Sequence, residues 1–164
     1  MTQISKALHK TDFKKIEQLA KAIFHEVYDT YIPADHVDFY LNTFQTSVAI
    51  QQQIESDHYH YFLLYYLDKP VGYFGLKIQD LVLVLSKLYI LKSQRGKSIG
   101  HTAMKYIENF AKKHHINKIE LLVNVKNKTS IDFYKSHSFE ILTTVATAYD
   151  NGHQEHDYLM VKSL

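Results

Sequence analysis

The chain has 164 residues, 46% of them hydrophobic and 22% charged, with 19 Lys plus Arg against 17 Asp plus Glu and no cysteine. That length suits one domain with one substantial core, and the balance of residues reads as globular rather than disordered. A net charge of +2 is too small for a nucleic-acid binder, and the missing cysteine excludes disulfides, a thiol nucleophile and Cys-ligated metal, in keeping with a reducing cytoplasm.

Residues 3–9, QISKALH, alternate and predict an opening strand. Thr11 or Asp12 is the expected cap of a helix whose Ile16, Leu19, Ala20, Ile23, Phe24 and Val27 recur at three-and-four spacing. Pro33 breaks it. Asp35 is expected to cap a second helix with Val37, Tyr40, Leu41, Phe44 and Val48 on one face, continuing or restarting towards Ile54. The period then changes. Residues 58–67 are aromatic and β-rich, 68–72 make a turn and 71–78 alternate, which predicts a hairpin. LVLVLSKLYIL (81–91) is a near-continuous apolar run, expected of a strand buried on both faces and too short to span a membrane. A helix follows with Ile99, Ala103, Ile107, Phe110 and Ala111 inward and Lys105, Glu108, Lys112 and Lys113 outward. Residues 118–125 read as another buried strand and 127–137 as a short helix. Strands 139–149 and 156–163 flank the turn signal Asp150-Asn151-Gly152. Strand 81–91, helix 99–113 and strand 118–125 form a βαβ unit, so the two strands should be parallel with a right-handed crossover. One α/β domain with a mixed sheet over residues 1–164 is the expected architecture. The N-terminus has no apolar core of signal-peptide length.

Residues 94–100, QRGKSIG, sit between a buried strand and a helix start, where free N–H groups and the helix dipole favour anions. A P-loop requires Gly at the position of Leu91. A dinucleotide loop requires Gly at the positions of Ser98 and His101. Both readings fail, and the loop residues alone leave an anion cradle and a solvated basic turn equally open. No Gly-x-Ser-x-Gly elbow or HExxH pattern occurs. The histidines read as solvating or packing side chains, and no metal is expected.

LYILKSQRGKSIGHTAMKYIENFAKK (88–113) resembles the pyrophosphate loop and following helix of the GNAT N-acetyltransferases, with Arg95-Gly96-Lys97-Ser98-Ile99-Gly100 at the loop. NKTSIDFYKSHSFEI (127–141) resembles a second segment of that family, matched at Asn127, Ser130, Phe133, Tyr134 and Phe139. With their strands the two motifs cover about residues 81–145, in the family's order and spacing. Ser98 and Ser138 stand where the family usually has Gly, and Lys92 where Pro is common.

The resemblance implies a six- to seven-stranded GNAT-like sheet whose strands 81–91 and 118–125 splay to form a cleft for acetyl-CoA, the acetyl donor. It implies that backbone amides of Leu88, Tyr89 and Ile90 hold the pantetheine arm, with an amide near Ile90 or Leu91 polarising the thioester carbonyl. The loop amides of Arg95, Gly96, Lys97, Ser98, Ile99 and Gly100 would take the pyrophosphate. Asn127 would contact the cofactor from the far side, and Tyr134 would protonate the leaving thiolate. Many relatives place a basic Glu on the strand before the loop. Here that strand carries Ser86 and Lys87, and no single base stands out. The first helical pair normally builds the acceptor pocket, and Glu26, Asp29, Asp35 and Asp38 among tyrosines suit a cationic amine. That stretch and the C-terminal HDYLMVKSL are similar to bacterial spermine/spermidine acetyltransferases. The expected partner is a small-molecule amine, with neither nucleic acid nor membrane. Acetylation of a protein amine and a non-catalytic acyl-CoA-binding module remain alternatives. Many relatives dimerise, which leaves a homodimer open.

Overall fold

The computed structural model describes residues 1–164. Strand β1 (Thr2–Lys6) leads into helix α1 (Lys10–Tyr28), whose Ile16, Leu19, Ala20, Ile23 and Phe24 are buried as their spacing predicts. The N-cap is His9, not Thr11 or Asp12. The Asp12 carboxylate reaches back from the first turn and accepts from the N–H groups of Leu8 and His9, both at 3.0 Å, where its charge also suits the helix dipole. Helix α2 (Ala34–Phe44) is entered through Pro33, which takes the capping position expected of Asp35; proline's fixed φ suits the start of a helix. The chain then restarts as α3 (Ser47–Ser56), capped by Thr46, whose hydroxyl accepts from the Ala49 N–H at 3.1 Å. The restart turns Val48 outward, so it is exposed rather than on the buried face.

Strands β2 (Tyr59–Tyr66), β3 (Lys69–Gln79) and β4 (Val82–Ile90) form an antiparallel meander. Helix α4 (Ile99–Lys113) crosses over to β5 (Lys118–Asn124), and α5 (Lys128–Ser136) precedes the hairpin of β6 (Glu140–Ala148) and β7 (Gln154–Ser163). The seven strands lie in the order β1-β2-β3-β4-β5-β7-β6. The hairpin folds back so that β7, not β6, lies against β5.

Helices α4 and α5 cover one face of the sheet against Phe62, Leu64, Phe74, Leu76, Leu83 and Leu85. Helices α1, α2 and α3 cover the other against Tyr61, Leu63 and Tyr73. Successive residues of β2 thus enter opposite cores, which is why the central strands read as continuous apolar runs. Each fully buried Leu or Phe contributes on the order of 1.5–3 kcal/mol. No helix is long and apolar enough to cross a membrane.

Two irregularities in β4 open the sheet and set its faces. The strand pairs with β5 in parallel only at Leu83 with Ile119 and Val84 with Glu120, after which the two separate. Just beyond, the register with β3 shifts by one residue at Ser86, between the pairs Leu85–Leu76 and Lys87–Gly75. Such a bulge bends the strand and reverses its alternation. Leu83 and Leu85 face α4, as do Leu88 and Ile90, whereas Tyr89 and Leu91 turn to the opposite core.

Candidate active site

The separation of β4 from β5 opens a cleft of about 600 Å³, within the range of small-molecule sites. One wall is Leu88, Tyr89 and Ile90; the backbone groups of β4 that face the opening have no partner in β5. The floor is the loop and first turn of α4, with Arg95, Gly96, Ser98, Ile99 and Gly100. The far wall is Asn127 and the face of α5 that ends in Phe133 and Tyr134. Every residue expected at the cofactor lines this cleft except Lys97, whose ammonium turns away to Gln94 Oε1 at 2.8 Å and lies over the Tyr66 ring.

The loop explains its own residue choices. Gly96 has φ +76° and Ser98 φ +61°, both left-handed. Ser138, the other Ser expected to replace Gly, has φ +69°. The two serines therefore stand at positions where a Cβ is strained by about 1–2 kcal/mol. Gly100 serves packing rather than ligand approach, since a Cβ there would lie 3.2 Å from the Phe133 ring. Replacing Ser98 by Gly should stabilise the protein by about 1 kcal/mol, raising Tm by roughly 2–4 °C, with acetyl-CoA binding retained. Thermal melts with and without acetyl-CoA check this.

Asn127 is the N-cap of α5, with Oδ1 accepting from the Ser130 N–H at 3.2 Å. Tyr134 is 7% exposed, and burial pushes its phenol well above the usual range, which keeps it protonated. The Arg95 guanidinium donates through Nε to the Ile90 carbonyl at 3.2 Å, tying loop to strand. Tyr31, a residue sequence reasoning did not single out, lines the same cleft with its hydroxyl buried and without a partner.

The family model described as the acetyltransferase (GNAT) family matches residues 17–139. The chain belongs to the GNAT acetyltransferase family. Solved structures agree on the fold. PaiA N-acetyltransferase from Thermoplasma acidophilum, in complex with coenzyme A, is 19% identical over 100% of this chain and 99% of its own, with a TM-score of 0.83. A GCN5-related N-acetyltransferase from Rhodopseudomonas palustris is 14% identical over 100% and 96%, with a TM-score of 0.84. A ribosomal-protein alanine N-acetyltransferase from Escherichia coli is 15% identical over 99% and 94%, with a TM-score of 0.73. Comparison with curated protein sequences finds no match.

A second cavity of about 320 Å³ adjoins the first in this GNAT chain, and Tyr89 lines both. Its walls are aromatic, from Phe24, Tyr28, Tyr40, Tyr59 and Tyr149, with His36, Lys87, Glu155 and Asp157 among them. The acidic residues of α1 and α2 are absent. His25 holds Asp29 at 2.8 Å and Asp38 at 3.0 Å, Glu26 accepts from the Lys92 N–H at 2.9 Å, and Asp35 is exposed. The carboxylates come from β7 instead, where Glu155 and Asp157 share a face two residues apart.

Glu155 is fully engaged. Oε1 lies 3.0 Å from His36 Nε2, and Oε2 accepts from the Tyr149 hydroxyl at 3.1 Å. Asn151 holds the other His36 nitrogen at 2.8 Å, so His36, which is buried, serves to fix Glu155. Lys87 is buried on the same cavity with no carboxylate partner, and burial lowers it to about 8. A lysine depressed by burial costs stability fully below the folded value, and that cost fades as pH rises to the unfolded value. Lys87→Met should therefore raise Tm by several degrees at pH 7 and leave it unchanged near pH 10.5. Melts across that pH range test it.

Proposed function

We propose that the protein transfers an acetyl group directly from acetyl-CoA to the nitrogen of a small cationic amine, with a polyamine as the first class to test. The observation that carries this reading is the meeting of two unlike cavities at Tyr89, one walled by an unpaired strand edge and a helix N-terminus, the other aromatic and ended by carboxylates. In the first, amides of Leu88 to Ile90 hold the pantetheine arm and the loop amides of Arg95, Gly96, Ser98, Ile99 and Gly100 take the pyrophosphate, with Lys97 outside the cleft. Arg95 supplies formal charge. Asn127 has its oxygen committed to the cap, which leaves its amide group for the cofactor.

In the second cavity, tyrosine faces and the β7 carboxylates favour an ammonium group, while Lys87 restricts positive charge to the carboxylate end. Attack on the thioester forms the C–N bond and breaks the C–S bond, and Tyr134 protonates the departing thiolate. The chain has no cysteine to carry an acetyl intermediate. A cytoplasmic location fits this chemistry, because acetyl-CoA and free amines meet there.

The test measures CoA release from acetyl-CoA with spermidine, putrescine, phenylethylamine, Nα-blocked lysine and an alanine-initiated peptide. Preference for the polyamines supports this reading. Preference for the peptide, the reaction type named for the Escherichia coli neighbour, supports protein acetylation instead. Binding of acetyl-CoA without turnover of any amine would make the chain a non-catalytic acyl-CoA-binding module.

A further inference from the structure

An ammonium acceptor must lose a proton before it can attack, and neither strand that borders the cleft supplies a carboxylate to the acceptor cavity. The cavity face of β4 offers Val84, Ser86, Lys87 and Tyr89, and that of β5 offers Leu122 and Asn124. We propose that the Asp157 carboxylate is the general base that takes the proton of the acceptor amine, an assignment that rests on the reading of the chain as an amine acetyltransferase.

Asp157 is placed by long-range pairing. It lies opposite Asn124 of β5 on one side and Val145 of β6 on the other, with β5 between it and the stretch of β4 where the sheet opens. It is 9% exposed and lines the cavity. The only other carboxylate there, Glu155, has both oxygens occupied by His36 and Tyr149. No side-chain hydrogen bond holds Asp157; burial first, and the Glu155 charge second, push it up to about 6, against a smaller opposing effect of His156. A base in that range is ionised at neutral pH yet still basic enough to accept a proton. The cavity also communicates with the donor side. Tyr31, whose buried hydroxyl has no partner, lines the cofactor cleft, and its ionisation is opposed first by burial and then by the charges of Glu155 and Asp157.

The protons balance. Asp157 takes one from R–NH3+, the free amine attacks, and Tyr134 gives one to the CoA thiolate. The second nitrogen proton restores Tyr134 through solvent, and Asp157 releases its own to the bulk. The other titratable groups that face Asp157 or its cavity are Glu155 and His156 on β7, His36 on α2, Lys87 on β4 and the tyrosines. Burial drives those tyrosines upward, away from neutrality.

The experiment is a kcat profile from pH 5 to pH 9 with acetyl-CoA and the best amine of the panel, for wild type, Asp157→Asn, Asp157→Glu and Glu155→Gln, beside acetyl-CoA binding by calorimetry. Asp157→Asn should lower kcat by about 10²- to 10⁴-fold, leave acetyl-CoA affinity unchanged and abolish the acidic limb near pH 6. Asp157→Glu should recover part of the rate. Glu155→Gln should keep the limb but move it to lower pH, because the charge that raises Asp157 is gone. Folding should not confound the result. A carboxyl raised in the folded state destabilises once pH exceeds its unfolded value, so Asp157→Asn should melt above wild type at pH 7.5 and level with it below about pH 4. An Asp157→Asn enzyme with wild-type kcat, or one that keeps the acidic limb, overturns the assignment while leaving the acetyltransferase reading intact. A wild type that binds acetyl-CoA yet turns over no amine overturns both.

Discussion

Tyr134→Phe should reduce kcat by about 10²- to 10⁴-fold, the usual worth of a positioned general acid, with little change in the KM for acetyl-CoA. The reason is geometric. Tyr134 sits in the last turn of α5, on the wall of the cleft opposite β4, with its ring packed among Phe133 and Phe139 at 5.5 and 5.7 Å between centroids. Those contacts survive the substitution. Burial raises its phenol, and no protein group accepts a hydrogen bond from it, so removing the oxygen strands no partner and Tm should hold. The loss should therefore appear in turnover alone. It should shrink with acetyl donors whose thiol is more acidic, since a good leaving group needs no proton. A Phe variant with full kcat would remove Tyr134 from the chemistry and return it to the core, where its neighbours already place it.

What the sequence revealed and what it hid divide along one physical line. Features set by local period were legible. Helix α4 runs from Ile99 to Lys113, as its apolar stripe predicts, and the loop before it enters the helix at Ser98. Features set by pairing at a distance were not. The near-continuous apolar run of 81–91 hides the bulge at Ser86, which reverses the faces of β4 and turns Lys87 into the second, aromatic cavity. The family resemblance put the acceptor at the first helical pair, whose acidic residues suit a cationic amine. In the folded chain His25 and the Lys92 amide satisfy three of them, and Asp35 stays in solvent. Glu155 and Asp157 gave no local signal, because their position follows from β7 inserting between β5 and β6. The helix caps failed for a smaller reason. Asp12 and Asp35 both lie in a first turn, where a carboxylate serves the dipole without occupying the capping position.

The same distant pairing makes Gly72 the least replaceable glycine of the chain. It lies in β3 between Leu64 of β2 and Ile90 of β4, at the end of the strand that walls the cofactor cleft. A Cβ there would stand 2.4 Å from the Tyr89 carbonyl oxygen and 3.1 Å from the Ile90 Cα, both backbone atoms that cannot rotate aside. Gly72→Ala must push β4 away from β3. That should cost about 3 kcal/mol, the upper end for overpacking a core, and lower Tm by roughly 6–12 °C. Because the displaced residues are the ones proposed to hold the pantetheine arm, acetyl-CoA affinity should fall with stability. Two other glycines provide the contrast. At Gly75 the added Cβ would meet the Ser86 hydroxyl at 2.9 Å, and at Gly100 the edge of the Phe133 ring at 3.2 Å. Both obstacles are side chains that can turn, so Gly75→Ala and Gly100→Ala should each cost less than half as much. Melting temperatures and acetyl-CoA titrations of the three variants separate the cases. Equal losses at all three positions would mean that β4 yields as readily as a side chain, and that the cleft is held less rigidly than its strand pairing implies.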